Sequence, residues 1–285
     1  MDCFEDIAHG MEMTNMDTTE RLKQWIDGFV DDTSIFTSLK EKNEAPPATA
    51  VAAQLQHDTQ EWEKLLATTG GKLELSKCFY YILQWKFDEE GKPTHTTKDE
   101  LEAMGVTIQV QEAGNVAPTT IKHMDCATAH RTLGLHKNPM GNQDEQLQKL
   151  QENSARIAGA IATSSITRAQ ATTAWNSIYI PSVAYPLLAT YFQEEDLTSL
   201  ENRALMAFLP KMGFNRHTTC AVVYGPKERG RLGINNLYVE QSVEQIKALT
   251  QHIRLASPLG KIMRINIDWV QLIAGTARPI FEDTK

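Results

Sequence analysis

The apolar residues of this chain change their spacing near Pro139. Before that point, short β-branched and aromatic runs surround a single helical stretch. After it, apolar residues recur at helical intervals over long segments. Strand-rich and helix-rich segments that follow one another, rather than alternating, indicate an α+β chain. We therefore predict a polar N-terminal segment at 1–24, a β-containing region at 25–139 and an all-α region at 140–285.

The β-containing region holds three clear patterns. The stretch WIDGFVDDTSIF predicts short strands at 25–29 and 33–37, joined at Val30, Asp31 and Asp32. Apolar residues at spacings of three and four predict a helix over 48–68, and the sequence Thr-Gly-Gly at 69–71 ends it. Residues 105–111, GVTIQVQ, alternate between apolar and polar as a half-buried strand does.

The all-α region holds several helical patterns. The run DLTSLENRALMAFLPKMG predicts a helix with Asp196 or Thr198 as its N-cap and with Gly213 just past its end. The run VEQSVEQIKALTQHIRLAS predicts another helix. Between the long helical stretches, Pro181 and Pro186 predict a kink or a break.

The net charge argues against nucleic-acid binding as a default, because the formal charge is -8 and the pI is about 5.5. The charge is uneven, however. From Arg203 to Arg264 the chain has ten Lys or Arg residues and only three Glu. These cations either contact phosphate groups or form an ordinary solvated basic surface, and both interpretations stay open.

The cysteines and the apolar segments exclude several protein classes. The four cysteines are far apart, with no CxxC pair and no Cys/His spacing typical of zinc, so we expect reduced thiols. The apolar run SIYIPSVAYPLLATYF is too short for a membrane span and contains two prolines. We expect the protein inside the cell, and nothing in the residues chooses between nucleus and cytoplasm.

Asp31 and Asp32 fall between two apolar runs, at the tip of the predicted hairpin. Polymerases hold two divalent ions roughly 4 Å apart, and Mg²⁺ takes hard oxygen ligands such as carboxylates. Neighbouring strand residues point to opposite faces, so Asp31 is the favoured full ligand of the two. An Asp pair is also common in β-turns, where it accepts turn hydrogen bonds. The pair alone therefore leaves a turn and a metal site open.

The Asp pair belongs to a series of motifs in the first half of the chain. GFVDDTSIF resembles the F/Y-x-D-D box of reverse transcriptases. The predicted helix with Asp58 and Trp62, followed by TTGGKLELSKC, resembles the next palm motif of non-LTR-type retrotransposon enzymes, in which a strand carries a lysine, here Lys77. HRTLGLHKNP, with Leu133 and Gly134, resembles the motif that forms a primer-side hairpin at the end of the palm. The resemblance covers roughly 25–275, and its motifs are sharp only between 25 and 140.

The resemblance implies an RNA-directed DNA polymerase, which is a nucleotidyltransferase, with a partial palm followed by a thumb-like helical region. Asp31 and Asp32 would bind the catalytic magnesium ions. Lys77 would lie near the incoming triphosphate, although a surface lysine at a strand edge is the alternative. An RNA template and a DNA primer would be the partners, and their phosphate groups would be contacted by Arg216, Lys227, Arg229 and Arg231.

The chain departs from the family pattern ahead of the hairpin. The family has a further aspartate on an earlier strand, a fingers region and a Gln-Gly helix before the Asp pair, and the 24 residues before Trp25 carry none of these. We therefore expect a palm and thumb fragment that is inactive alone, with the missing N-terminal part of the polymerase as a further partner.

Magnesium binding should be weak for the same reason. Without a third carboxylate, Asp31 and Asp32 repel each other at close range. We predict an affinity in the millimolar range in isothermal titration of the chain with Mg²⁺. A micromolar affinity would contradict the fragment interpretation.

The alternative class is a non-catalytic helical module that binds nucleic acid or protein. The environment of residues 25–37 separates the two hypotheses. A hairpin at the centre of a three- or four-stranded antiparallel sheet, backed by the 48–68 helix, favours the palm. An exposed loop or a helix at these residues favours the module.

Overall fold

The computed structural model describes residues 2–29, 32–39, 47–115 and 117–276. The chain divides into two compact units, which we call the mixed unit (Met1–Thr128 with His252–Lys285) and the helical unit (Ala129–Gln251). Small two-stranded sheets occupy the first half of the chain, and the second half is mostly helical. This arrangement confirms the predicted α+β class.

The strands are short and pair two by two. Their bounds are β1 (Met11–Thr14), β2 (Arg21–Gln24), β3 (Ile26–Phe29), β4 (Asp32–Ile35), β5 (Phe79–Tyr80), β6 (Trp85–Phe87), β7 (Pro93–His95), β8 (Gln109–Val110), β9 (Thr119–Thr120), β10 (Lys122–His123), β11 (His130–Thr132) and β12 (Leu135–Lys137). The β5–β10 pair is parallel, and the pairs β1–β2, β3–β4, β6–β7, β8–β9 and β11–β12 are antiparallel. Within the described ranges no sheet has more than two strands.

The helices account for most of the second half. Their bounds are α1 (Asp2–Glu5), α2 (Ala48–Thr68), α3 (Lys98–Ala103), α4 (Asp144–Thr163), α5 (Arg168–Ala174), α6 (Ile180–Leu187), α7 (Glu194–Met212), α8 (Cys220–Val223), α9 (Leu237–His252) and α10 (Pro258–Ile273). In the part of the chain that the structure describes, no helix has the length and apolar character needed to cross a membrane.

Helix α2 confirms the prediction of a helix over 48–68. Pro47 precedes it with an extended backbone, and Gly70 follows it with a φ of 80°. The inward face differs from the expected apolar stripe, because its fully buried positions combine two small residues with two carboxylates: Ala48, Ala52, Asp58 and Glu63.

The core of the mixed unit includes the predicted alternating segment at 105–111. Val106, Ile108 and Val110 are buried, whereas Thr107 and Gln109 are exposed, so the alternation is confirmed. Regular pairing covers only residues 109–110 of this segment. The alternation therefore identified the buried face, although most of the segment is not a paired strand.

The core of the helical unit is aromatic. Trp175 stacks on Tyr179 with ring centroids 4.5 Å apart, and it meets Phe208 edge-on at 5.0 Å. Trp175–Tyr179 is a π-helical segment that joins α5 to α6. Pro181 and Pro186 lie in α6 without ending the helical run, so the predicted break does not occur. Proline has no amide proton to donate, and the wider π-helical turn directly before Pro181 lets the helix continue without that hydrogen bond.

Helix α7 ends where the sequence predicts and begins earlier. Gly213 follows its last residue in the left-handed conformation, with a φ of 86°. The N-cap is Gln193, and the predicted caps, Asp196 and Thr198, lie inside the helix. Three acidic residues in the first turn favour the earlier start, because they face the positive end of the helix dipole: Glu194, Glu195 and Asp196.

Candidate nucleic-acid interface

The predicted hairpin forms. Strands β3 and β4 pair antiparallel with Phe29 opposite Asp32, so they are joined through residues 30–31. Asp31, the favoured metal ligand, lies outside the described residues. Asp32 is the first residue of β4, and its side chain is exposed.

The surroundings of this hairpin differ from those expected for a palm. The β3–β4 pair is a sheet of its own, although β4 contacts α2. Gly28, Phe29, Thr33 and Ser34 are exposed. The segment is therefore a strand pair rather than a loop or a helix. Among the residues described, it is not at the centre of a larger sheet. The β3–β4 pair contacts the helix over 48–68, but the three- or four-stranded sheet that the palm hypothesis requires is not present in the described ranges.

The described residues do not fit a two-metal centre. For the part of the chain that is described, no group of three or more His, Cys, Asp or Glu side chains is arranged to hold a metal ion. Mg²⁺ needs an octahedral set of oxygen ligands, of which Asp32 supplies one carboxylate. Magnesium binding stays a prediction that rests on Asp31 and Asp32.

Lys77 does not lie on a strand, so that part of the motif interpretation is wrong. The Lys77 amide donates to the Glu74 carbonyl at 2.9 Å and closes a turn, and Ser76 Oγ donates to Glu74 Oε1 at 2.6 Å. These local hydrogen bonds replace the ladder bonds of a strand. The Lys77 side chain is exposed, and pairing begins only at Phe79. A role near a triphosphate remains a prediction.

Leu133 and Gly134 form the hairpin turn between β11 and β12. Both residues have positive φ values, 51° and 83°, which two-residue turns of the type favoured in hairpins require. Tyr185 Oη donates to the Leu133 carbonyl at 2.7 Å and holds the turn against α6. The expected hairpin is confirmed, while its primer-side role remains a prediction.

Asp58, from the second motif, has a structural role in the mixed unit. It is fully buried and accepts hydrogen bonds from the His9 amide, Thr37 Oγ1 and Gln54 Nε2 at 3.3, 2.6 and 2.9 Å. A buried carboxylate with three donors is a well-satisfied acceptor. Asp58 thus joins α2 to two distant segments of the chain.

The four predicted phosphate contacts lie on one loop region of the helical unit. We call residues 216–231 the basic segment. Arg216, Lys227, Arg229 and Arg231 are all exposed. Among the described residues, none of the four has a carboxylate within 4.0 Å, although Glu228 lies within the same segment. Their charges are therefore not neutralised locally.

Backbone hydrogen bonds hold the basic segment in place. The amides of Leu232 and Ile234 donate to the carbonyls of Val222 and Val223 in α8 at 3.0 Å each, and the Gly233 amide donates to the Gly225 carbonyl at 2.8 Å. Residues Lys227–Arg229 form a 3₁₀ turn between these anchors. These hydrogen bonds hold residues 232–234 alongside α8.

Two of the cationic side chains pack along glycines of this loop. A Cβ added at Gly225 would lie 2.0 Å from Arg231 Cδ, and one at Gly233 would lie 2.6 Å from Lys227 Cγ. The aliphatic stems therefore occupy the space that a side chain at either glycine would fill. Stems that are already packed lose less conformational freedom when their charged ends bind a ligand.

A small cavity adjoins the basic segment. It has a volume of about 150 Å³ and is lined by Asn202, Leu205, Met206, Leu209, Arg216, Thr218, Cys220, Val223 and Tyr224. Arg216 thus belongs both to the basic segment and to the cavity. Three separate stretches contribute to the lining, namely α7, the loop after it and α8.

A buried carboxyl group lies near Tyr224, one of the residues that line this cavity. Glu201 is fully buried in α7, and its Oε2 accepts from Asn236 Nδ2 at 3.2 Å and from the Leu237 amide at 3.3 Å. Among the described residues no side chain donates to its Oε1 with good hydrogen-bond geometry, although the Tyr224 hydroxyl faces this carboxyl group and opposes the rise of its pKa. Burial raises the pKa of Glu201 to about 7. Burial and the nearby Glu201 charge raise the pKa of Tyr224, which lines the cavity, to about 12.

Comparisons of the chain with protein-family models, with curated proteins and with solved structures find no match. The description of the site therefore rests on its own geometry. Sequence reasoning selected the cations of the basic segment and missed Glu201 and the cavity. The one signal for Glu201 was its position among the apolar residues of the predicted helix.

Proposed function

We propose that this chain is a reverse-transcriptase-like retroelement protein that binds nucleic acid through its helical unit and does not polymerise DNA by itself. One observation carries the proposal: four exposed cations lie on a loop that backbone hydrogen bonds hold in place, and none has a carboxylate partner among the described residues. Phosphate groups are the ligands that such cations recognise, and RNA and DNA are rich in them.

Other lysines of the same unit differ in their surroundings. Lys149 and Lys247 lie 2.9 and 2.5 Å from the glutamates Glu152 and Glu244. Their charges are balanced within their own helices. A phosphate that approached them would compete with a carboxylate already in place, whereas no described carboxylate lies within 4.0 Å of the four cations of the basic segment.

The proposed ancestry and the proposed lack of catalysis have separate supports. The hairpin at 26–35 and the turn at 133–134 agree with the resemblance. Among the described residues, the two-stranded sheet that carries Asp32 is not part of a larger sheet, and this favours binding without catalysis. An RNA template paired with a DNA primer is the partner that this ancestry implies.

Protein binding is the second candidate, and an apolar row on α9 favours it. Val239, Val243 and Ile246 are exposed and repeat at intervals of four and three residues, so they share one face of the helix. Apolar contacts persist at high salt, whereas phosphate contacts weaken. Nucleic acid remains the first candidate because the cations, unlike the apolar row, select one class of ligand.

Neutralising the basic segment should weaken nucleic-acid binding strongly. Four phosphate contacts at about 0.1 M salt contribute roughly 100- to 1,000-fold to affinity through counterion release. We expect a loss of that size when Arg216, Lys227, Arg229 and Arg231 are all changed to Gln, measured by fluorescence anisotropy with a labelled RNA–DNA hybrid and with a labelled single strand.

The matched control removes two cations from the same unit that already have carboxylate partners. Lys149→Gln with Lys247→Gln should change the affinity by no more than about threefold, because those charges are balanced locally. An affinity that falls equally in both variants would overturn the assignment to the basic segment. Primer extension by the unaltered chain with Mg²⁺ would overturn the non-catalytic part of the proposal.

A further inference from the structure

We propose that the cavity beside the basic segment takes one unstacked base of a single-stranded nucleic acid, while Arg216 contacts the adjoining phosphate group. This inference rests on the proposed function and adds to it a preference for single strands. It places one nucleotide at a defined position on the helical unit, between α7 and α8.

The lining of the cavity suits a flat heterocycle with a polar edge. Its floor is apolar and buried, formed by Leu205, Leu209 and Val223. Its more exposed lining includes Met206 together with Asn202 and Thr218, which can donate and accept hydrogen bonds. An apolar pocket with a few polar groups at its edge is the usual form of a small-ligand site.

The volume limits what can enter. At about 150 Å³ the cavity is smaller than the roughly 300–1,000 Å³ of sites for drug-sized ligands, and it equals the space of about five water molecules. One base fits this range, whereas a nucleoside triphosphate or a base pair does not.

Arg216 connects the two parts of the site. It lines the cavity, and it is also the first of the four cations of the basic segment. A base and its phosphate are joined through one sugar, so a base in the cavity brings its phosphate within reach of the same rim. The remaining cations then follow the strand beyond that nucleotide.

Tyr224 supplies an aromatic wall. Tyr224 is one of the residues that line the cavity, and it is half-buried. Stacking of a base on an aromatic side chain contributes enough binding energy for about a tenfold gain in affinity or more. Paired bases in a duplex are already stacked on each other and cannot use this wall, which is why the site should prefer a single strand.

The experiment compares two single-stranded DNAs of equal length and charge, one with normal bases and one abasic throughout, by fluorescence anisotropy on the unaltered chain. We expect the normal strand to bind at least about tenfold more tightly. Two variants locate the effect. Cys220→Trp fills the cavity from its rim and should abolish the difference. Ala221→Trp adds the same side chain at the next, exposed position, which does not line the cavity, and should preserve it.

Each outcome decides something different. Equal binding of the two strands would overturn the base site, while a loss of that binding on neutralising the basic segment would still support the proposed function. No binding of either strand would overturn the proposed function and this inference with it. A difference that survives in a folded Cys220→Trp variant would assign base recognition to another surface. The comparison on the unaltered chain requires no variant to fold.

Discussion

Replacing Asp58 with alanine is expected to lower the free energy of unfolding of the mixed unit by about 3 kcal/mol. The substitution removes the acceptor of three hydrogen bonds at a fully buried position. The donors on His9, Thr37 and Gln54 come from segments up to 49 residues away, and no described acceptor stands in for the carboxylate. These hydrogen bonds are partly buried, so each donor left without its acceptor carries part of its desolvation penalty.

Two comparison variants make the Asp58 prediction specific. Asp58→Asn keeps one carbonyl oxygen for the His9 amide and Gln54, so it should lower the free energy of unfolding by only about 1 kcal/mol. His57→Ala alters an exposed neighbour on α2 and should change it by less than about 0.5 kcal/mol. Urea unfolding together with hydrogen exchange of α2 measures these differences. An Asp58→Ala variant as stable as the original chain would contradict the assigned role.

Replacing Glu201 with glutamine is expected to stabilise the helical unit at alkaline pH, by about 3 kcal/mol at pH 8. The pKa of Glu201 is about 7 in the folded protein, against an ordinary value of 4.5. The folded protein therefore binds this proton more tightly than the unfolded chain does. Stability from Glu201 is greatest below pH 4.5 and falls as the pH rises to about 7.

The glutamine variant should lack that dependence on pH. Its amide oxygen can accept from Asn236 and from the Leu237 amide as Oε2 does, and it carries no charge to desolvate. Tyr179 and Tyr224 face Glu201, and burial raises the pKa of both, so neither titrates between pH 5 and 8.

Urea unfolding at pH 5 and at pH 8, followed by far-ultraviolet circular dichroism, compares the two proteins. The exposed Glu195→Gln on the same helix should leave the slope with pH unchanged. A parallel pH dependence in the original chain and the Glu201→Gln variant would contradict the prediction.

Local patterns predicted the elements whose boundaries are set locally. The bounds of α2 follow from a proline before it and glycines after it, and Gly213 ends α7 for the same reason. The hairpin at 26–35 follows from two apolar runs around a polar pair. In each case the deciding residues lie within one or two turns of the boundary.

Pairing between distant segments could not be predicted in this way. Alternation at 105–111 identified the buried face, yet it carries no information about which strand pairs with which. Lys77 lies in a turn because Glu74 and Ser76 form local hydrogen bonds that a propensity for strand does not anticipate. The antiparallel sheet expected from the resemblance depended on such pairings.

The candidate site also contains residues that the sequence predicted and residues that it did not. Arg216, Lys227, Arg229 and Arg231 are exposed as charged residues usually are. The uneven charge of the sequence together with the resemblance was enough to propose them as phosphate contacts. Glu201 is buried against that rule, and its donors lie 35 and 36 residues away in sequence. The cavity is invisible in the sequence because its lining comes from three stretches that only the fold brings together.

The salt dependence of nucleic-acid affinity tests most directly whether the helical unit binds phosphate groups through the basic segment. For a single strand, four contacts predict that the logarithm of the association constant falls with the logarithm of salt concentration with a slope of about -3. The variant with all four cations changed to Gln should lose most of that slope, and the Lys149→Gln, Lys247→Gln control should keep it. A slope near zero in the unaltered chain, or the same slope in the neutralised variant, would contradict the account.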